Sequence, residues 1–494
     1  MTQTNPLGFV TEPQKDVPVA YDVDVVVVGA GLSGLFSALA AGRLGVKTLL
    51  IDRFGVVGGN LGPAMIVGGS VYDESTITLP NGLVGIPKEL VTRMDQLKRN
   101  LKPNYAEESN IISYLGAQMA EEAGVELLLS VWAADPIIEE NRMAGLFVEG
   151  KSGRVAVKAR VVIDGSADAD ISRRAGVPVI MSVPADPSYD PIIKPQYMHE
   201  EYKVWNDTGI FYAVANIDAK AFGEFRNKKT TLSDADRAWM DERNQFVHEG
   251  MAYRGLRFPD PFVPLFRKAW ERGDYYYQKS VEHNVHVSVQ DIGEPTASGI
   301  VGSRINMGGE IRREDMVQNS RLESSIRAHV VETVQFFRNY IPGFEDAYLI
   351  LIAPYLGSRG GPFIDGEVVL TPEDIRIGRR FDDTLLRNTH DANYRRAEAS
   401  GFDTPYRTLL PKGLDGLLVT GRASSYVRRG HDPGSARARG ALMLLGEAAG
   451  VAAAMSVKEG VQPRDLNVKQ LQKELLQRGF PLGDEARLVE LGLR

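Results

Sequence analysis

Apolar positions in this chain fall into three patterns: unbroken runs, strict alternation, and helical spacing. The most telling run, Val25 to Val28, leads straight into Gly29-x-Gly31-x-x-Gly34. A small-residue stretch follows, and then a second apolar run closes on Asp52. That order predicts strand, tight turn, helix and strand. Residues 82–93 start a helical pattern, and residues 106–123 form an amphipathic helix with Ile111, Ile112, Leu115 and Met119 on one face. Residues 124–138 read as one buried strand beginning with Val125. Residues 141–150 and 153–164 alternate apolar and polar as a β-meander does, ending in the turn Asp164-Gly165-Ser166-Ala167-Asp168-Ala169-Asp170. From 178 to 300 the pattern loosens into Pro- and aromatic-rich stretches with two charged helices between them. A long helical pattern runs through residues 323–341 and stops at Pro342-Gly343. Residues 414–422 form a buried strand that enters a Gly turn, and Gly434 to Val457 reads as a small-residue helix suited to close packing under a flat ligand.

These elements predict an α/β chain: a Rossmann-like nucleotide-binding domain with an inserted α+β substrate domain. Residues 1–21 are an N-terminal arm and 22–177 the first part of the binding domain. Residues 178–400 are the substrate or cap domain, 401–460 the C-terminal part of the binding domain, and 461–494 a helical tail. No internal repeat is visible.

The glycine turn has a physical reading. Gly29 permits the turn out of the strand, Gly31 lets backbone N–H groups approach a pyrophosphate, and Gly34 lets the helix pack close to the sheet. The helix start, Leu32 and Ser33, presents unpaired N–H groups and the positive end of the helix dipole. Asp52 lies 18 residues past Gly34, where a carboxylate can accept ribose hydroxyls. The ligand is therefore a dinucleotide. After Asp52 come Arg53 and then Gly58-Gly59-Asn60-Leu61-Gly62, glycines that let the backbone follow a long cofactor. A chain built for NAD alone has little use for that segment, so the expected cofactor is FAD. No second strand–glycine–helix unit is present to make a separate NAD(P)H domain.

Composition narrows the chemistry. The 494 residues exceed one average core. The chain is 43% hydrophobic and 24% charged, with net charge −7, which argues against a nucleic-acid surface. No apolar run is read as reaching the ~18 residues of a membrane span, and the first 22 residues lack a basic region followed by an apolar core. The expectation is thus a cytoplasmic enzyme acting on a small-molecule substrate, with no nucleic-acid or membrane partner; a homo-oligomer is compatible. There is no cysteine. Thiol redox chemistry, disulfides, thiolate-held metals and cysteinyl flavin links are all excluded, so the redox step belongs to the cofactor.

As an ordered set, VPVAYDVDVVVVGAGLSG, GIPKELVTR, EEAGVELLLSVWAADPII, RVVIDGSADADISRRAGVP, RNYIPGFEDA, VVLTPEDIRIGRRFDD, PYRTLLPKGLDGLLVTGRASS and GSARARGALMLLGEAAGVAAA resemble the FAD-dependent oxidoreductase family, a glutathione-reductase-like flavoprotein class. The resemblance omits roughly residues 180–300. It implies FAD along the Gly31–Asp52 edge, adenine-side contacts near Val131-Trp132 and Gly165-Ser166, and the flavin ring near Gly59–Gly62 and Gly421-Arg422. The chain departs from the family at two points. An Arg-Glu-Ser-Arg-Arg segment is reduced to Arg359 followed by Gly360-Gly361-Pro362-Phe363, and the Cys that usually follows Gly421-Arg422 is Ala423.

Candidates for chemistry follow from charge and position. Arg422 and Arg437 could stabilise reduced flavin; equally, each could pair with a carboxylate or a phosphate. His431, in a polar loop ahead of the small-residue helix, is the candidate base or substrate ligand, with a solvent-facing role as the alternative. Arg359 among glycines could anchor a substrate carboxylate or simply make a turn. His283 and His286 do not make a metal site, because in a strand they would face opposite sides and no further ligand is near in sequence. Tyr275 to Tyr277 suit packing better than a pocket. Three activities stay open: hydride transfer with a small organic molecule, monooxygenation, and a flavin-binding scaffold with an altered site.

Overall fold

The computed structural model describes residues 9–66, 79, 82–98, 105–180, 205–248, 260–277, 279–282, 285–289, 292–311, 313, 315–358, 360–388, 401–426 and 438–494. The first sheet is built from β1 (Val19–Val28), β2 (Thr48–Asp52), β3 (Val125–Leu129), β4 (Trp132–Glu139), β5 (Arg142–Gly150) and β6 (Gly153–Asp164), in the order β3-β2-β1-β6-β5-β4. β1 runs parallel to β2 and to β6, whereas β4, β5 and β6 form an antiparallel meander. The far end of β6 leaves β5 and pairs in parallel with β17 (Leu417–Val419). The chain therefore steps outward from β1 to β3 and returns on the other side of β1 as β6. A crevice opens at the carboxyl ends of β1 and β6, the place where open α/β sheets receive ligands.

Helices α1 (Leu32–Arg43), α2 (Gly85–Leu97) and α3 (Tyr105–Glu122) follow the first two strands, and α4 (Asp170–Arg174) follows β6. The second lobe has a sheet of β8 (Trp205–Ala215), β9 (Ser280–Glu282), β10 (Val285–Val289), β11 (Val301–Glu310), β12 (Tyr348–Ile352) and β13 (Gly357–Ser358). Behind it lie α5 (Ala219–Arg226), α6 (Asp234–His248), α7 (Val263–Arg272) and α8 (Met316–Tyr340). Its core is rich in aromatic rings: Tyr275 stacks on Phe336 at 4.6 Å, and Phe266 stacks on Phe336 at 4.6 Å. Tyr275 and Tyr277 are buried there while Tyr276 is exposed, so the tyrosine run is packing.

Two short ladders stand apart from both large sheets, β7 (Val179–Ile180) with β14 (Phe363–Ile364) and β15 (Thr384–Asn388) with β16 (Phe402–Pro405), and α9 (Pro372–Ile377) lies between them in sequence. Here the structure differs from the expected boundary at residue 400. Leu385 and Leu386 pack in the first lobe's core, the Gln472 amide donates to the Thr384 carbonyl at 3.0 Å, and Ile364 packs with β17. β14 and β15 thus pack on the binding lobe, while Leu370, Ile375 and Phe381 form a small cluster of their own with Phe402 and Tyr426. α11 (Val468–Gln477) and α12 (Glu485–Glu490) close that side.

Two further expectations are corrected. The single buried strand over 124–138 is two strands, β3 and β4, broken at Ser130, which has φ of 59°. In β3 only Val125 is fully buried, since β3 is a sheet edge. The small-residue helix, α10 (Arg439–Glu459), is long and apolar enough to cross a membrane, contrary to the reading that no stretch qualifies; 94% of that window is buried inside the protein. It is a core helix lying on α1. Ideal Cβ atoms on Gly446 and Gly450 would strike the backbone of Ser33 and Ser37, so the two helices touch backbone to backbone. The Ser33 hydroxyl donates to the Leu442 carbonyl at 2.9 Å, and that of Ser37 to Gly446 at 2.8 Å.

Glu447 puts a carboxyl group inside this helix contact. The Glu447 carboxylate accepts from the Ile86 N–H at 2.9 Å, with Arg478 at 3.6 Å and the Arg43 charge beyond. Burial pushes it up to about 7. A carboxyl raised in the fold stabilises it below the unfolded value and loses that contribution as pH climbs through the folded one. Relative to wild type, Glu447→Gln should therefore gain stability between about pH 4.5 and 7 and hold the gain above, on the order of 3 kcal/mol at most. Urea unfolding at pH 4.5 and pH 8 checks this: a difference between the two proteins that does not change with pH rules it out.

Candidate functional site

The glycine turn sits at the crevice. Gly29 takes φ of +95°, and a Cβ there would lie 2.6 Å from the Gly165 carbonyl oxygen; a Cβ on Gly34 would strike the Gly29 carbonyl. Strand, helix and the β6 turn thus meet with no room for side chains. Gly31 behaves differently: a Cβ there would meet no atom of the described residues within 4 Å. Gly31 is also the N-cap of α1 and, having no side chain, does not cap that terminus itself. Open space in front of unpaired N–H groups fits a phosphate, so the residues present suit a dinucleotide.

Asp52 is tied inward. Its carboxylate accepts from the Ala30 N–H at 2.6 Å and the Phe54 N–H at 2.8 Å. Burial raises its proton affinity, and those two amides oppose the shift. The Gly58 N–H donates to the Ala30 carbonyl at 2.8 Å, and a Cβ on Gly59 would come within 2.6 Å of Gly31 Cα. Asp52, Gly58 and Gly59 therefore clamp the turn, and two of the Asp52 lone-pair directions expected to face ribose already hold backbone. Gly62 packs inward on Val57 and Ser113. The Val131 N–H bonds the Asp52 carbonyl at 3.2 Å, and Trp132 lies under the Arg53 guanidinium at 5.4 Å, so both stand beside the Asp52 edge.

Three predicted positions are committed to structure. The Ser33 hydroxyl is used by α10, leaving only its backbone for a ligand. The Ser166 hydroxyl donates to Asp164 at 2.6 Å and accepts from the Asp170 N–H at 2.9 Å, which fixes the turn after β6. Arg422 pairs with Asp168 at 2.7 Å and also donates to the Gly360 carbonyl, so the carboxylate alternative holds for it. Gly421, with φ of +72°, leans on Ser33. Arg359, His431 and Arg437 lie outside the described residues. His286 is on β10, half-buried, and burial lowers its proton affinity.

Other residues reach the crevice without a sequence signal of their own. Tyr355 stacks on Phe54 at 4.4 Å and donates to the Asn60 amide oxygen at 3.3 Å, joining the second lobe to the loop after Asp52. In register, Gly209 faces both Asn306 and Gly357. A Cβ on Gly357 would strike Ile66, so that face of the second sheet looks toward the Gly58–Ile66 loop. Asn306 lies on this face, 7% exposed, and its amide has no hydrogen-bond partner among the described residues. The alternation Arg304-x-Asn306 in β11 was the only hint: two polar residues on one face of a strand whose other face is apolar.

Fold and site together define a dinucleotide-dependent enzyme with a second lobe over the cofactor crevice. Residues 24–475 match the FAD dependent oxidoreductase family, and the chain belongs to it. It is an enzyme that uses FAD. A thiamine thiazole synthase from Methanococcus maripaludis is 30% identical over 158 residues, 29% of this chain and 56% of that protein. Digeranylgeranylglycerophospholipid reductase 1 from Methanopyrus kandleri is 30% identical over 161 residues, 32% of this chain and 43% of that protein. The chain thus spans about half the length of the curated relatives it matches. A geranylgeranyl bacteriochlorophyll reductase-like protein from Thermoplasma acidophilum has a TM-score of 0.40 at 15% identity, over 93% of this chain and 84% of that one. The myxobacterial chondrochloren halogenase has a TM-score of 0.39 at 11% identity, over 93% and 79%.

The two glycines of the turn should separate binding from folding. Gly31→Val should yield folded protein that purifies with little or no FAD, because its side chain enters only the ligand's space. Gly34→Val should fail to fold, because it drives α1 off the sheet. Circular dichroism and the ratio of flavin to protein absorbance distinguish the two, and FAD retained by Gly31→Val would be the contrary result. Asp52→Ala should loosen FAD by about 1–3 kcal/mol and also soften the turn it clamps.

Proposed function

We propose that this enzyme transfers a hydride between a small organic substrate and non-covalently bound FAD, held in a glutathione-reductase-type lobe with the second lobe covering the substrate. The observation that carries the reading is the absence of any cysteine: no protein thiol can take electrons or link the flavin, in a family whose members use FAD. Bound FAD supplies the ring that accepts or gives the hydride.

The chain's own residues have these proposed roles. Gly31 and the first N–H groups of α1 bind the pyrophosphate. Asp52 holds the turn rigid and offers its remaining lone pairs to a ribose, with Arg53, Val131 and Trp132 beside it. Gly59, Asn60, Gly421 and Arg422 border the ring, and the Arg422–Asp168 pair keeps one guanidinium aimed into the cleft. Arg437 adds positive charge, His431 moves the substrate proton, and Arg359 anchors a substrate carboxylate. Asn306 donates or accepts a hydrogen bond on the substrate face.

Denatured protein should release free FAD, and anaerobic mixing with a pool of candidate metabolites should bleach the flavin. Bleaching by NADPH only when a second substrate is present would favour a monooxygenase instead. With substrate in hand, His431→Ala should slow flavin reduction by ~100-fold at unchanged FAD content and remove one ionisation from its pH profile. An unchanged rate at saturating substrate removes His431 from the mechanism.

A further inference from the structure

Tyr355 reaches across the lobes from a segment that is gripped on both sides. Arg327 of α8 donates to the Ala353 carbonyl at 2.9 Å and to the Pro354 carbonyl at 2.9 Å. Glu323, one helical turn earlier, accepts from the Leu356 N–H at 3.0 Å and pairs with Arg327 at 2.8 Å. Two helix residues at i and i+4 share one face, so together they hold the backbone just before and just after Tyr355. The direction of its side chain is therefore set by α8.

The ring lands on the segment after Asp52. It lies 4.4 Å from the Phe54 ring, 25° from parallel, and its hydroxyl donates to Asn60 Oδ1 at 3.3 Å. Burial raises the Tyr355 proton affinity, so the hydroxyl keeps the proton that it donates. β13 closes on the same spot: a Cβ on Gly357 would come within 3.6 Å of Asn60 Oδ1. With its oxygen taken, Asn60 keeps two donors on Nδ2, and these bond nothing among the described residues.

From Asn60 the way to the glycine turn is short. The Ile66 N–H donates to the Asn60 carbonyl at 2.8 Å, and the Gly58 N–H to the Ala30 carbonyl at 2.8 Å. Gly59 lies on Gly31, whose own Cβ direction is open. A loop held at Asn60 keeps Gly58 and Gly59 seated on that turn. A loop released there must be ordered again each time a ligand binds, and that ordering costs affinity.

We infer that Tyr355 is a positioning residue for FAD. Gripped by Glu323 and Arg327, it fixes the Gly58–Gly62 loop through Asn60 and leaves the Asn60 Nδ2 donors for an acceptor on the cofactor. This role rests on the proposed placement of FAD along Gly31 to Gly62. By reciprocity, FAD binding and the seating of the second lobe on that loop favour each other.

FAD release from the diluted holoenzyme is followed by the rise in flavin fluorescence, together with the visible circular dichroism of bound flavin and the thermal midpoint. Tyr355→Phe keeps the ring and loses only the hydroxyl; it should release FAD about fivefold faster and change the flavin dichroism. Tyr355→Ala also loses the stack on Phe54 and should release it about twentyfold faster. Asn60→Ala should exceed Tyr355→Phe, because the Nδ2 donors go as well. The double variant Tyr355→Phe with Asn60→Ala should be no faster than Asn60→Ala alone, since the hydroxyl then has nothing to hold. Arg327→Met should speed release in the wild-type background and leave it unchanged in Tyr355→Ala. A role in packing alone would lower the midpoint while Tyr355→Phe and Asn60→Ala keep the wild-type release rate and dichroism, and that result overturns the inference. Gly31→Val separates the two failures. If it retains FAD, the placement of the cofactor fails and the role of Tyr355 falls with it. If it loses FAD while the Tyr355 and Asn60 variants hold FAD as wild type does, the placement stands and only the role of Tyr355 is overturned.

Discussion

The structure depends on one contact: α10 lying backbone to backbone on α1. Ser33 and Leu442 are 409 residues apart and share a hydrogen bond, as do Ser37 and Gly446. Two helices can approach this closely only where glycine faces backbone, and Gly446 and Gly450 supply that. The result is more than a packed core. It brings the turn at Gly421 onto Ser33, at the N-terminus of α1. The two ends of the chain therefore build one ligand edge, and everything inserted between them is positioned relative to it.

A second constraint aligns the lobes. Tyr355 lies against Phe54 and bonds Asn60, while Gly357 fits over Ile66. The residues that follow Asp52 thus serve two partners, the glycine turn on one side and the second sheet on the other. A shift in the loop after Asp52 would be felt directly at the face of the second sheet that carries Asn306. Carboxylates are used sparingly in this cleft. Asp52 and Asp164 spend their oxygens on backbone and hydroxyl groups, and Asp168 balances Arg422.

Much of the binding lobe was legible in the sequence because its signals are local. A strand, a glycine turn and a helix that closes on it depend on φ angles and near neighbours, which residue type controls directly. Gly29, Gly34 and the positions of β1 and β2 follow from this, as do the antiparallel strands β5 and β6 and the helix at α10. The boundary near residue 400 was not legible, because the fate of Leu385 and Leu386 depends on which core lies within reach, and α10 and α11 are distant in sequence. The break at Ser130 was hidden for a related reason: an apolar run looks the same whether it is one central strand or two strands at an edge.

By itself, then, the sequence determined the dinucleotide turn, the cofactor class and the exclusion of thiol chemistry, since each follows from residue type at short spacing. Only the tertiary structure decided which polar groups are free. Ser33 and Arg422 looked available and were taken by partners hundreds of residues away, Ser166 and half of Asp52 by groups of their own turns and of Ala30, while Tyr355 and Asn306 looked ordinary and stand at the Gly58–Ile66 side of the second lobe. Whether a side chain binds a ligand depends on what else it can reach, and that is a property of the packed chain, not of the residue.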